Sequence, residues 1–266
     1  MGKQKKIYTL LLAICIVGFW VFENFYTPAS YSKEGGSEGI PFDAGLLPES
    51  TTNSVVAHQY YMLSYSEPFE QAEWVAYSLS RDQLTDDDRR RPYFIEDPDV
   101  RTKSADWRNY KGSGFDRGHL CPAGDRRFSE QAYNETFYTS NISPQRNDFN
   151  AGVWNRLEQL VRYWAKRYGQ VYVITAGVLE AGLDEIGGED VAVPEAFYKI
   201  VYREEGDKAL VLAFLIPHEE STAPLSSFLV SVEALEAETG IDFFNSKPTD
   251  WQKRLEGQVR KSEWSF

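Results

Sequence analysis

Residues 149–176 read FNAGVWNRLEQLVRYWAKRYGQVYVITA, and the hydrophobic period changes partway along them. Val153, Trp154, Leu157, Leu160, Val161 and Trp164 recur at spacings of three and four, which predicts a helix over Phe149–Tyr168 with one buried face. Gln170–Ala176 then reads as a strand that can be buried, closed by Gly177. Working outward, His58–Ser80 contains YYMLSYS and EWVAYSLS, two strands about a Glu67-Pro68 turn. Phe197–Tyr202 and Ala209–Ile216 form a second strand pair across the turn residues Glu204–Asp207. Ser227–Glu238 reads as another helix, ended by Gly240. Paired strands with inserted helices predict an α+β fold with a largely antiparallel central sheet and flanking helices. Arg81–Asp106 is charged and irregular and reads as a surface loop. Glu180–Glu195, with six acids and no base, reads as a solvated loop away from any cleft.

The whole chain has 266 residues, of which 42% are hydrophobic and 26% charged, enough for a sizeable core. Two cysteines, Cys15 and Cys121, exclude a disulfide scaffold and a zinc ribbon, and three scattered histidines argue against a zinc site. No G-x-S-x-G elbow is present for a serine hydrolase. A net charge of −12 excludes coating of nucleic acid by bulk charge, so a polyanion would have to meet a local basic cleft. Lys3, Lys5 and Lys6 precede an uncharged run, Ile7–Phe22, in the manner of a secretory segment. As a helix that run rises about 24 Å against a hydrocarbon core of about 30 Å, so cleaved signal and retained anchor both stay open. Residues 1–30 are thus expected to be a signal peptide or signal anchor, 31–54 a flexible linker and 55–266 the working domain. An exported protein, periplasmic or extracellular and tethered by residues 7–22 if uncleaved, is the expectation. Without residues 1–30, which carry three lysines and Glu23, the remainder holds −14.

The chemistry concentrates between Gly112 and Glu158. His119 sits beside Asp116-Arg117, and a neutral imidazole of fixed tautomer can take a proton from water. Asn141, Gln145, Asn147 and Asn150 fall within ten residues just before the helix. Amide oxygens suit Mg²⁺, which keeps most of its waters, although Asp148 or Asn150 could equally cap the helix. At about 100° per residue, Asn150 and Trp154 sit within or beside the apolar arc while Glu158 and Arg162 lie progressively toward one edge, where they could also be a solvated i,i+4 pair. From Asp116 to Arg167 eight cations face six anions, leaving a locally positive segment suited to phosphate.

These residues resemble the DNA/RNA non-specific endonucleases of the ββα-metal class. Asp116-Arg117-Gly118-His119 is similar to the family's DRGH motif, Ser140–Gln145 to its SN-x-[ST]-PQ segment, and Asn150–Arg162 to its N-x3-W-x3-E-x3-R helix. The resemblance runs from about His58 to Phe244. It implies a ββα-metal motif and Mg²⁺-dependent hydrolysis of DNA and RNA with little sequence specificity, leaving 5′-phosphate ends. His119 would be the general base, Asn150 the direct protein ligand of a hydrated Mg²⁺ (Mn²⁺ or Ca²⁺ in its place), and Glu158 the holder of metal-bound waters. Asn141 would position His119 or the metal-water cluster. Arg117, Arg162 and Arg146 would contact the phosphates, with one of Arg89, Arg90 and Arg91 supplying a further contact; Arg91 is favoured. Nucleic-acid backbone is the implied partner, and a protein inhibitor is a further one. Cys121 is expected to be buried packing. A non-catalytic exported protein that binds polyanions or a partner on the same fold is the alternative, motivated by the acidic surface.

Overall fold

The computed structural model describes residues 2–26 and 44–266 of the chain. Among them the strands are β1 (Val55–Ala57), β2 (Met62–Ser66), β3 (Gln71–Ser80), β4 (Asp116–His119), β5 (Ile142–Gln145), β6 (Gln170–Gly177), β7 (Glu185–Ile186), β8 (Val191–Ala192), β9 (Ala196–Glu205), β10 (Lys208–Pro217) and β11 (Leu229–Val230). The helices are α1 (Gly2–Phe25), α2 (Glu130–Glu135), α3 (Asn147–Phe149), α4 (Asn155–Tyr168), α5 (Val232–Thr239) and α6 (Thr249–Glu256).

A seven-stranded sheet runs in the order β1-β2-β3-β6-β9-β10-β11, with every neighbouring pair antiparallel. The α+β reading with a largely antiparallel sheet is therefore correct. Registers Tyr77↔Val173, Val173↔Val201 and Lys199↔Phe214 set alternate residues of four strands on one face. Helix α4 covers that face with Leu157, Val161, Trp164 and Ala165, all fully buried. The helix ends at Gly169, whose φ of +94° is a conformation that a side chain would strain. A separate hairpin pairs β4 with β5, and the chain passes from β5 directly into α3, giving the two strands and a helix of the expected ββα unit.

Several boundaries differ from the sequence reading. The expected helix over Phe149–Tyr168 is three pieces: α3, a π turn at Asn150–Trp154, and α4. Gly152, at φ −95° and ψ −108°, leaves helical geometry and lets the turn widen. The stretch read as a helix from Ser227 begins as a 3₁₀ turn and β11; Ser231 caps the helix proper by accepting from the Ala234 N–H, and Gly240 closes it as expected. Arg81–Asp106 is not a plain surface loop: Phe94, Ile95, Asp97, Val100 and Ala105 are buried. The acidic stretch forms the β7–β8 hairpin, whose Ile186, Val191 and Val193 pack with Phe94, Tyr110 and Phe137. Its apolar residues pack inward in this second apolar cluster, and Glu189 accepts from the Asp106 N–H and from Asn109 Nδ2.

Of the expected linker, 31–43 lies outside the described residues. Residues 44–54 lie against the sheet, with Leu46 buried and the Glu49 N–H donating to the Asp242 carbonyl. Helix α1 is exposed, and over Gln4–Phe25 it is long and apolar enough to cross a membrane. Arg108 donates to the carbonyls of Glu23 and Tyr26 at its end.

Candidate active site

A cleft of about 570 Å³ opens where the β4–β5 hairpin meets the π turn, lined in part by Arg91, Asp116, Arg117, His119, Phe137 and Asn150. Strand β4 supplies Asp116, Arg117 and His119, and its register with β5 (His119↔Ile142, Asp116↔Gln145) holds them in place. Gly118 sits between the two functional side chains because Gln145 lies across it; a Cβ there would come within 2.2 Å of the Gln145 amide carbon.

His119 lies between Phe94 (5.7 Å, tilted) and Phe137 (4.9 Å, edge-on). Its Nε2 is buried without a hydrogen-bond partner. Burial, and then the guanidinium groups of Arg91 and Arg117, push the imidazole down to about 3. The ring is therefore neutral at physiological pH and has one nitrogen able to accept a proton. Both guanidinium groups stack on Phe94, Arg117 at 4.6 Å and Arg91 at 5.3 Å from its centroid. Arg91 is thus the member of the Arg89–Arg91 triplet at the cleft. Arg89 instead donates to the Arg127 carbonyl and pairs with Asp87, and Arg90 is exposed.

Asn150, the first residue of the π turn, donates its Nδ2 to Asp116 Oδ2 at 3.1 Å, and Asn147 donates to the same oxygen at 3.0 Å. A carboxylate only accepts, so this contact commits the amide nitrogen of Asn150 to Asp116 and leaves its Oδ1 as an acceptor on a residue that lines the cleft. Asn141 is fully buried: its Oδ1 accepts from the Cys121 N–H at 2.8 Å, and its Nδ2 donates to the carbonyls of Cys121 and Thr136. The amide thus grips the chain two residues past His119 and does not face the cleft. Arg146 is exposed at the mouth of α3, with its backbone N–H donating to His218 Nε2. Cys121 is buried as expected, its thiol pushed up to about 12 by desolvation.

Glu158 and Arg162 are not among the cleft-lining residues. They form a charge cluster under the turn that follows β4: Arg162 Nε donates to Asp125 Oδ1 at 2.5 Å and its Nη2 to Glu158 Oε2 at 3.2 Å. Gly124 leaves room for that guanidinium, since a Cβ would meet its Nη2 at 3.0 Å. The Glu158–Arg162 pair is therefore partly buried, not solvated. The sequence reading does not single out Asp116, Phe94 and Asp125: Asp116 is legible in the DRGH motif, whereas Phe94 is 25 residues from His119 and Asp125 is 37 from Arg162, beyond any spacing rule.

Among the described residues, one group of His and Asp side chains could hold a metal: His58, Asp97 and Asp99. His58 Nε2 pairs with Asp97 Oδ2 at 2.8 Å, and Ser140 also donates to that oxygen. Asp99 Oδ2 stands 3.6 Å from the buried His58 Nδ1, which makes no hydrogen bond, and the group ties the N-terminal part of the domain to the Asn141 turn, apart from the Asn150 cleft.

The DNA/RNA non-specific endonuclease family matches residues 42–250. The chain is 36% identical over 243 residues to mitochondrial nuclease EXOG of Danio rerio, covering 84% of this chain and 67% of that protein. It is 35% identical over 205 residues to mitochondrial endonuclease G of Homo sapiens, covering 70% and 68%. It is 36% identical over 216 residues to nuclease C1 of Cunninghamella echinulata var. echinulata, covering 73% and 84%. Against the vertebrate EXOG proteins it spans between 55% and 67% of their length. The crystal structure of an EndoG/EndoGI complex, concerned with EndoG inhibition, superposes with a TM-score of 0.69 at 33% identity, covering 76% of this chain and 88% of that one. These relatives overturn the expectation of export: EXOG, endonuclease G and nuclease 1 of Schizosaccharomyces pombe are mitochondrial. A cationic apolar helix has the same composition whichever membrane it meets, so α1 does not mark secretion.

Proposed function

Since the chain belongs to the DNA/RNA non-specific endonuclease family, whose members hydrolyse nucleic acid, we propose that it cuts phosphodiester bonds within DNA and RNA with His119 as general base and a divalent cation at Asn150. The observation that carries the reading is the convergence of His119 and Asn150 on one cleft from two separate elements.

In this reading Arg91 and Arg117 bind the phosphate backbone and carry no base preference. Burial first, and then their positive charge, keeps His119 unprotonated in the free protein. A bound phosphate offsets the arginine contribution, so the imidazole is a better base when substrate is present. Asn141, gripping Cys121, holds the end of β4 and with it the direction of His119. The Asn150 Oδ1, left as an acceptor by the Asp116 contact, fits a hard hydrated cation: it is neutral, presented from a fixed amide, and in the same cleft as an unpartnered imidazole nitrogen. Mg²⁺ held there, or Mn²⁺ or Ca²⁺ in its place, would supply positive charge where the 3′ oxygen leaves, and cleavage on that side would leave a 5′-phosphate. Glu158, beneath the turn that follows β4, would hold the cation's waters, and Arg162, its Nε on Asp125, would offer an Nη to the phosphate. Arg146, exposed at the mouth of α3, meets a neighbouring phosphate. Residues 55–266 form the nuclease domain, to which a protein inhibitor can bind as one does in the EndoG/EndoGI complex.

The test is digestion of a supercoiled plasmid and a structured RNA, with and without EDTA, by the wild type and His119→Ala. The expected result is cation-dependent cutting of both substrates and a loss of about 10²–10⁴-fold in the variant. Intact substrate with Mg²⁺, together with retained binding in a gel shift, would favour a non-catalytic polyanion-binding protein. Undiminished cutting by His119→Ala would remove the proposed base.

A further inference from the structure

His218 directly follows β10 and is buried, and both of its ring nitrogens are engaged. The backbone N–H of Arg146 donates to Nε2 at 2.7 Å, and Nδ1 lies 2.8 Å from the Pro194 carbonyl oxygen. An N–H needs a lone pair and a carbonyl needs a proton, so the ring is neutral and is the Nδ1–H tautomer. Burial, which pushes the imidazole below its ordinary value, agrees with this.

The residue so held, Arg146, is the N-cap of α3, and its carbonyl accepts the Asn150 N–H at 2.8 Å. One peptide segment therefore takes the imidazole on its N–H and carries Asn150 on its carbonyl. In a capping box the N-cap N–H is met by the side chain of the third helical residue. Here that residue is Phe149, which has no acceptor, and His218 supplies one from 72 positions away. The same ring packs edge-on against Phe149 at 5.0 Å and lies tilted to Phe115 at 6.1 Å. Those two aromatics directly precede Asn150 and Asp116, the residues joined through the Asn150 amide. On its other contacts the ring meets Phe197 of β9 edge-on at 5.0 Å, and the His218 N–H donates to the Glu195 carbonyl. The β4–β5 hairpin shares no ladder with the seven-stranded sheet, so His218 is a polar tie between that sheet and the segment leading to Asn150.

We propose that His218 is a positioning residue for the cation site: as a fixed, neutral acceptor it holds the Arg146 peptide and, through it, the π turn that presents the Asn150 Oδ1. The proposal rests on the reading of Asn150 as the cation's protein ligand. A ligand carried on an untied turn would have to be ordered at the moment of binding, at a cost in affinity.

The experiment compares His218→Phe, which keeps a flat ring without an acceptor, with His218→Gln, whose amide oxygen can take the Arg146 N–H. Two readouts need no substrate. One is Mn²⁺ binding to the full chain, followed by the EPR signal of free Mn²⁺. The other is the NMR shifts of the imidazole nitrogens in the wild type, whose three histidines are assigned with the His218 variants. The third readout is the Mg²⁺ dependence of plasmid cleavage. Loss of an outer partner of a metal ligand costs about 10–100-fold in affinity or activity. For His218→Phe, Mn²⁺ binding should weaken by about 10-fold or more, and the Mg²⁺ needed for half-maximal cleavage should rise by a similar factor. The KM for plasmid should not move. His218→Gln should restore most of the Mn²⁺ binding, and the wild-type ring should carry its proton on Nδ1. Unchanged Mn²⁺ binding in His218→Phe, a loss of rate by the same factor at every Mg²⁺ concentration, no recovery in His218→Gln, or a proton on Nε2 overturns the proposal. Should His218→Phe not fold, His218→Leu takes its place, and the tautomer is still read on the wild type. In an Asn150→Ala background the His218 change should no longer move Mn²⁺ binding; an undiminished effect there also overturns it. Asn150→Ala alone separates the two ideas. If it binds Mn²⁺ as the wild type does, the Asn150 reading fails; if it loses Mn²⁺ while His218→Phe keeps it, only His218 is misassigned.

Discussion

Gly118→Ala is the most demanding single substitution for this site, because it adds one methyl between the two residues on which the chemistry depends. The added Cβ would lie 2.2 Å from Gln145 Cδ and Oε1 and 2.5 Å from its Cγ, more than 1 Å inside ordinary contact. Gln145 is fully buried and cannot swing into solvent, so the strain has to be relieved by parting β4 from β5. Overpacking of this kind costs about 1–3 kcal/mol, and a domain of this size loses about 2–4 °C in Tm per kcal/mol. Activity should suffer more than stability, since Arg117 and His119 flank the new methyl and a displacement of about 1 Å at a reacting group costs about 100-fold. Thermal unfolding by circular dichroism and initial rates of plasmid nicking measure the two effects on one preparation. Gln145→Ala removes all three close atoms, so the double variant should regain the stability lost by Gly118→Ala. A Gly118→Ala protein with near-wild-type nicking, or a double variant no more stable than the single one, would refute the steric argument.

Asn141→Ala leaves the N–H and carbonyl of Cys121 and the carbonyl of Thr136 without their partner in a buried site; at about 1–3 kcal/mol per orphaned group it should cost several kcal/mol in urea unfolding and misdirect His119. His119 stays neutral when folded, down to about 3, but protonates near its ordinary value when unfolded, so stability falls as pH drops below about 6.5. Between pH 5.5 and 4.5 the wild type should therefore lose about 1.4 kcal/mol more than His119→Asn in denaturant titrations, and equal slopes would show that the ring is not held neutral. Gly187→Ala combines a φ of +77° with a Cβ only 2.6 Å from the Cα of Asn109, beside the cleft residue Tyr110. It should lower Tm clearly more than Gly206→Ala, where φ is +60° but nothing lies within 4 Å and only about 1 kcal/mol of left-handed strain is added.

The sequence by itself determined the element types wherever a local period was strong. The switch from a helical to a strand period across residues 149–176, the β9–β10 hairpin and the Gly240 stop all lie in the structure as read. The motif residues His119, Arg117 and Asn150 were legible because the backbone itself fixes their spacing within β4 and the π turn. Other decisions needed the third dimension. That Arg91 and not Arg89 meets the cleft follows from Phe94, whose ring receives two guanidinium groups. That Glu158 and Arg162 are partly buried follows from Asp125, 37 residues away in the chain, closing over them. The acidic hairpin packs onto the second apolar cluster because Ile186, Val191 and Val193 have Phe94, Tyr110 and Phe137 to pack against, a fact that charge composition hides. Periodicity records what a segment buries; only the folded chain records against which partner, and burial and charge at the candidate site are properties of the partner.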